Sequence, residues 1–107
     1  MNKYHAKKTV YDGITFDYKK EADRYAELKL LERGHVITDL RRQVCYIIAP
    51  ACTVDGVKFS TEYYIADFVY HKGGKLVVED VNGYRTNEYK LKRHLMALNY
   101  QIVVVET

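Results

Sequence analysis

Three observations predict an α/β fold, a mixed sheet flanked by helices in the order α-β-β-β-α-β. Apolar residues recur at helical spacing over 17–33 and again over 86–98. β-Branched and aromatic runs lie between them, punctuated by Asp-Gly and Gly-Gly turns. A short apolar run, "QIVVVE", follows the second helix and so can return to the sheet in parallel. With 107 residues the chain can build one modest core, so residues 1–107 are expected to form a single domain.

The elements follow in order. Residues 1–8 form a basic arm carrying Lys3, Lys7 and Lys8, without the apolar stretch of a signal peptide. "TVYDGITF" reads as a small hairpin over 9–16, turning at Asp12-Gly13. Next, Ala22, Tyr25, Leu28 and Leu31 line one face of a helix over 17–33, with Asp17 as its expected cap and Gly34 as its stop. A strand over 41–48 ends before Pro50, and Asp55-Gly56 marks a turn. A long strand over 58–70 leads through "HKGGK" into "KLVVEDV", which makes these two runs antiparallel neighbours. Leu91, Leu95 and Leu98 are the expected buried face of the second helix.

Composition narrows the function little. Hydrophobic residues make up 48% and charged residues 29%, as in ordinary soluble domains. No apolar run approaches the roughly 20 residues of a membrane span, so no membrane partner is expected. A net charge of +3 alone does not identify a partner, but Arg85, Lys90, Lys92 and Arg93 cluster near the second helix. Most of the eleven tyrosines fall at strand or helix positions where core packing explains them. Cys45 and Cys52 lack metal-site spacing and read as reduced thiols of a cytosolic protein. His5, His35, His71 and His94 are scattered, with no pair at ligand spacing. Gly73-Gly74 sits in a hairpin rather than before a helix, which rules out a phosphate loop there.

Chemistry concentrates on the carboxylates. Asp67 lies within "YYIADFVY", a run too apolar for an unpartnered charge. Asp80 lies in the next strand, at a similar distance from the 71–75 turn. Two such carboxylates repel, and a divalent cation such as Mg²⁺ is one remedy; bonds to a nearby lysine, tyrosine or backbone amide are the other. The strand period sets Asp80 and position 82 on one face. A lysine at 82 would stand beside the metal, but the residue there is Asn82.

The combined pattern resembles the core of the PD-(D/E)XK nuclease superfamily. "YHAKKTVYDGITFDYKKEADRYAELKLLERG", Gln43, "YIADFVY" and "GKLVVEDVNGY" are most similar to a family of small phage proteins of unsettled function, related to Holliday-junction resolvases. The resemblance covers nearly the whole chain and implies a restriction-endonuclease-like sheet. It implies Glu21, Asp67 and Asp80 as ligands of Mg²⁺ or Mn²⁺, with Gln43 in support. Glu79 would face the other way in a structural role. Asn82 departs from the family lysine, and Lys90 or Lys92 on the following helix are candidates for a relocated one. Tyr18 also departs, standing where the family shows a serine.

The expected function is a phage-type, metal-dependent deoxyribonuclease acting on branched or structured DNA, in the cytoplasm of a bacterial host. Lys3, Lys7, Lys8, Arg85 and Arg93 would contact DNA phosphates. Resolvase relatives act as symmetric dimers, so the resemblance also implies a homodimer. The competing expectation is a DNA-binding or protein-interaction module with a disabled nuclease site.

Overall fold

The computed structural model describes residues 8–81 and 86–107. Lys3, Lys7, Asn82 and Arg85 lie outside these, so the expectations placed on them are not addressed by the fold.

The chain opens with a hairpin of β1 (Thr9–Tyr11) and β2 (Ile14–Phe16). Asp12 and Gly13, at φ 53° and 75°, make the left-handed turn that Asp-Gly favours. Helix α1 (Lys19–Arg33) then buries Ala22, Tyr25 and Leu28, as their spacing predicts. Asp17 is not its cap. Tyr18 holds the N-cap position with extended backbone and no side-chain hydrogen bond. At the other end Gly34 N–H still bonds Leu30 C=O, and the left-handed residue is His35, at φ 60°.

Strand β3 (Thr38–Ala49) is longer than the 41–48 expected. The strand expected over 58–70 is divided. Its first residues belong to β5 (Val57–Phe59), which pairs with β4 (Cys52–Val54) in a separate hairpin. Ser60 and Thr61 interrupt the run, and β6 (Glu62–Lys72) follows. Hydrophobic alternation alone could not show that break, because Phe59 and Tyr63 keep the strand period across it. Strand β7 (Lys75–Asp80) pairs antiparallel with β6 across Gly73-Gly74. Helix α2 (Asn87–Tyr100) comes next, capped by the Thr86 hydroxyl, which accepts from Tyr89 N–H at 3.1 Å. The last strand, β8 (Val105–Glu106), runs parallel to β7 and is only two residues long.

The main sheet therefore has the order β3-β6-β7-β8, a mixed sheet in an α/β fold. Helix α2 departs from expectation in phase rather than existence. It buries Met96, with Tyr89 and Leu95 packed alongside, while Leu91 and Leu98 are 59% and 65% exposed. Tyr89 and Met96 share the seven-residue interval of Leu91 and Leu98 but sit two residues earlier, on nearly the opposite face. Tyr89 and Met96 have apolar bodies large enough to take over the packing. No described helix is long and apolar enough to cross a membrane.

Two cores result. One joins α1 to Phe16, Ile37, Phe68 and Tyr70. The other joins α2 to Ile48, Tyr64, Ala66, Val69, Val78 and Val104. Within β6, Tyr64 and Ala66 serve the second core, yet Phe68 and Tyr70 serve the first. Two-residue alternation therefore slips at Asp67. Strand β3 slips at the matching place: Val44 and Tyr46 pack with the α2 core, while Arg42 stacks on Phe16 and Tyr25. Arg42 pairs with Phe68 and Val44 with Ala66, so Gln43 and Asp67 stand opposite each other at the slip. Gln43 accommodates it with φ 51°, a left-handed conformation uncommon outside glycine.

Candidate functional site

The slip opens a cleft of about 600 Å³. The start of α1 supplies Glu21, β3 supplies Arg42 and Gln43, β6 supplies Asp67, β7 supplies Asp80, and α2 supplies Glu88, Tyr89 and Lys92. Four residues expected to form the site, Glu21, Gln43, Asp67 and Asp80, thus line one cavity although 59 positions separate the first from the last.

Gln43 joins the acids. Its Nε2 donates to Glu21 Oε1 at 3.4 Å and to Asp67 Oδ1 at 3.3 Å. The other oxygen of Asp67 accepts from Val81 N–H at 2.8 Å. Phe68 pairs with Glu79, so one further step along the β6–β7 register sets Asp67 opposite Asp80. Asp80 Oδ2 accepts from Tyr64 Oη–H at 2.8 Å.

Crowding shows in the acidities. Burial raises the Glu21 carboxyl pKa, and the nearby Asp67 charge raises it further. Burial also raises Asp67, against the opposing pull of its Val81 and Gln43 hydrogen bonds. For Asp80, burial pushes the value up to about 6, with Asp67 adding to the rise. All three carboxyls therefore resist ionisation where they stand, and a cation would relieve all three.

Glu79 has a different task. It is fully buried on the α1 side, where Arg24 Nε and NH2 donate to it at 2.8 and 2.9 Å. Tyr70 Oη–H and Thr107 Oγ1–H also donate to it. Burial alone would raise its pKa, but Arg24 and Tyr70 hold it below the ordinary carboxylate value. This is the structural role expected for it.

The two lysine candidates separate. Lys92 lines the cleft, its Nζ 3.4 Å from Glu88 Oε1. Lys90 instead lines a hollow of about 280 Å³ with Arg93 and His94. Arg93, expected to contact DNA, spends its Nε on Val104 C=O at 3.1 Å. Lys8 is exposed just ahead of β1.

Arg42 is a cleft residue that sequence reasoning missed. Its guanidinium lies 4.5 Å from the Phe16 ring centre, and its NH2 is 3.7 Å from Glu21 Oε1. Its Nε is buried without a hydrogen-bond partner among the described residues. Strict strand alternation turns Arg42 away from Gln43, so only the slip at Gln43 brings both to the cleft.

The donor set suits a hard divalent cation in oxygen chemistry and burial, yet not as a closed cage. Among the described residues no three His, Cys, Asp or Glu are gathered closely enough to hold a metal by themselves. Mg²⁺ commonly takes one or two carboxylates and completes its shell with water and substrate phosphate. Asp67 and Asp80, on adjacent strands, are the pair that could hold it, with Glu21 lining the same cleft.

Sheet and cleft together define an α/β protein with an acidic, polar site where two central strands change face. The chain belongs to the family described as "Protein of unknown function (DUF1064)", which matches residues 1–106. No curated protein and no solved structure matches the chain.

Proposed function

We propose that this chain is a metal-dependent deoxyribonuclease of the PD-(D/E)XK type, of phage origin, that cleaves branched or structured DNA. The observation that carries this reading is the convergence of Glu21, Gln43, Asp67 and Asp80 in one cleft with Arg42 and Lys92. The charge balance of that cleft separates it from a plain binding groove. Its described lining holds five acids, Asp17, Glu21, Asp67, Asp80 and Glu88, against two bases, Arg42 and Lys92. A groove built only to hold DNA phosphates would reverse that ratio. An acidic cleft accepts phosphate when a cation stands between.

When bound, Mg²⁺ or Mn²⁺ supplies Lewis-acid charge to the scissile phosphate and to its attacking water. Asp67 and Asp80 would hold the cation. Gln43 keeps Glu21 and Asp67 aligned through its shared amide. Arg42, its guanidinium 4.5 Å from the Phe16 ring centre, presents N–H groups suited to phosphate oxygens. Lys92 is the cation of α2 available to take the part of the lysine absent at position 82.

The test is cleavage of duplex, forked and four-way DNA by wild type and Asp67→Asn, with Mg²⁺, Mn²⁺ or a chelator. Metal-dependent cutting that is lost in Asp67→Asn and with the chelator supports the reading. DNA that is bound yet uncut under every metal condition overturns it, and the binding module becomes the better account.

A further inference from the structure

Among the described residues five aromatic side chains line the cleft, and three of them are already engaged. Phe16 and Tyr64 are buried in the two cores, Tyr64 with its hydroxyl on Asp80, and Tyr89 packs on the α2 core. Tyr18 and Tyr63 are left over, 40% and 45% exposed. Among the described residues neither of their rings pairs with another aromatic ring. Tyr18 holds the N-cap position of α1 without making a side-chain hydrogen bond, where Ser, Thr, Asp or Asn would stabilise the helix. Capping therefore does not explain a tyrosine there. Tyr63 is placed by strand parity. Tyr64 and Ala66 turn to the α2 core, so Tyr63 and Ile65 face the other side of the sheet, which α1 covers farther along β6 at Phe68 and Tyr70. Tyr18, Tyr63 and Ile65 all line the cleft that holds Glu21 and Asp67.

We propose that Tyr18 and Tyr63 take unpaired bases of the substrate by stacking, so that the cleft selects DNA with a single-stranded arm over fully paired DNA. The proposal rests on the nuclease reading for its ligand, DNA, and adds which form of DNA the cleft prefers. A base inside a duplex has both faces covered by its neighbours, whereas an unpaired base can offer a face to a tyrosine ring. Tyrosine suits the task, because its flat apolar body is fixed by only two side-chain torsions and loses little freedom on contact. Tyr63 precedes Asp67 by four residues, about 13 Å of strand, so a base stacked on it lies within a few nucleotides of a phosphate held at the acids. Tyr18 stands three residues before Glu21, at the start of the same helix. Each exposed ring thus lies close in sequence to one of the acids, and one strand of DNA can meet both. A four-way junction, in which every base is paired, gives these rings nothing to stack on.

Fluorescence anisotropy in Ca²⁺, a hard cation for the same carboxylates, tests it with three labelled probes. They are a forked duplex with thymine arms, the same fork with abasic arms, and a four-way junction. The proteins are wild type, Tyr18→Ala, Tyr63→Ala, Tyr18→Phe and Tyr63→Phe, with circular dichroism to check that each folds. Wild type should bind the thymine fork about 5- to 100-fold more tightly than the abasic fork, the range expected for one stacked base. It should also prefer the thymine fork to the junction. Each alanine variant should lose most of the thymine preference while binding the abasic fork as wild type does. Each phenylalanine variant should keep the preference, because the ring stacks without its hydroxyl. Equal wild-type affinity for the two forks overturns the proposal, as do alanine variants that retain the preference or a wild type that favours the junction. Cleavage of the same forks in Mg²⁺ scores the nuclease reading separately. A thymine preference in binding with no cutting upholds the stacking and overturns the nuclease reading. Cutting without any thymine preference leaves the nuclease reading standing and overturns the stacking.

Discussion

Arg24 closes on Glu79 through two parallel hydrogen bonds, at 2.8 and 2.9 Å, in the core between α1 and the sheet. The pair fixes the rotation of α1 against β7. Glu21 precedes Arg24 by three residues, so the same rotation sets Glu21 at the mouth of the cleft. A buried ion pair that adds little net stability can still define where a neighbouring cleft acid lies.

Arg24→Ala should therefore cost about 3–5 kcal/mol, because it leaves a buried carboxylate unpaired. Glu79→Gln should cost less, since Arg24 keeps partial access to solvent. The pH dependence has a definite sign. Glu79 is held below its ordinary value of 4.5, so its contribution is full above that pH and is lost as pH falls through the depressed value. Thermal melts from neutral pH into the acid range should show the Arg24→Ala deficit narrowing as Glu79 protonates. A deficit independent of pH would contradict the pairing.

Asp80 should behave in the opposite sense. Its carboxyl is raised to about 6, so its contribution is full below the unfolded value of ~3.9 and is lost as pH rises through 6. Without metal, Asp80→Asn should raise stability at pH 7 by roughly 1–2 kcal/mol after solvent screening, a gain that vanishes near pH 4. The asparagine oxygen keeps the Tyr64 bond. Added Mg²⁺ should stabilise wild type and leave Asp80→Asn nearly unmoved. Equal metal responses in the two proteins would remove Asp80 from the cation site.

The strands that carry Asp67 and Asp80 were legible because Gly73-Gly74 fixes their register from the turn outward. α1 was legible because Ala22, Tyr25 and Leu28 are all apolar and all buried. The phase of α2 is not legible from its leucines, because the apolar bodies of Tyr89 and Met96 take the packing instead. The slip at Gln43 left no mark in the sequence. Glutamine has no special preference for positive φ, and nothing local announces that two paired strands will change face together. For that reason strand alternation does not point to Arg42, and the phase of α2 decides between Lys90 and Lys92. The partition of 58–70 was hidden likewise, by apolar residues that keep the strand period on both sides of Ser60 and Thr61.

Gln43 offers a way to separate stability from site geometry. Its left-handed conformation costs on the order of 1 kcal/mol, which glycine would relieve. Gln43→Gly should keep or slightly raise the melting temperature, while Gln43→Ala lowers it. Both lose the amide shared by Glu21 and Asp67, so both should weaken the Mg²⁺-induced rise in melting temperature. A glycine variant with an undiminished metal response would show that the shared amide does not organise the acids.

Two lysines of α2 compete for the part of the missing one. Lys92 lines it beside Glu88, whereas Lys90 lines the hollow with Arg93 and His94. If DNA is the substrate, Lys92→Ala should lower metal-dependent cleavage by about 10²–10³, the usual loss when one preorganised donor to developing charge is removed. Lys90→Ala should leave the cleavage rate at saturating DNA nearly intact and weaken binding modestly, more so at low salt. Glu88→Gln should not reproduce the Lys92→Ala loss, because it frees the ammonium from its 3.4 Å partner without removing it. Asn82→Lys provides the cross-check: by restoring the lysine that the resemblance places at this position, it should rescue Lys92→Ala. Single-turnover cleavage by these variants in Mg²⁺ and Mn²⁺ decides the matter. Equal losses for Lys90→Ala and Lys92→Ala would mean that neither acts on the scissile phosphate and that both serve only to bind DNA.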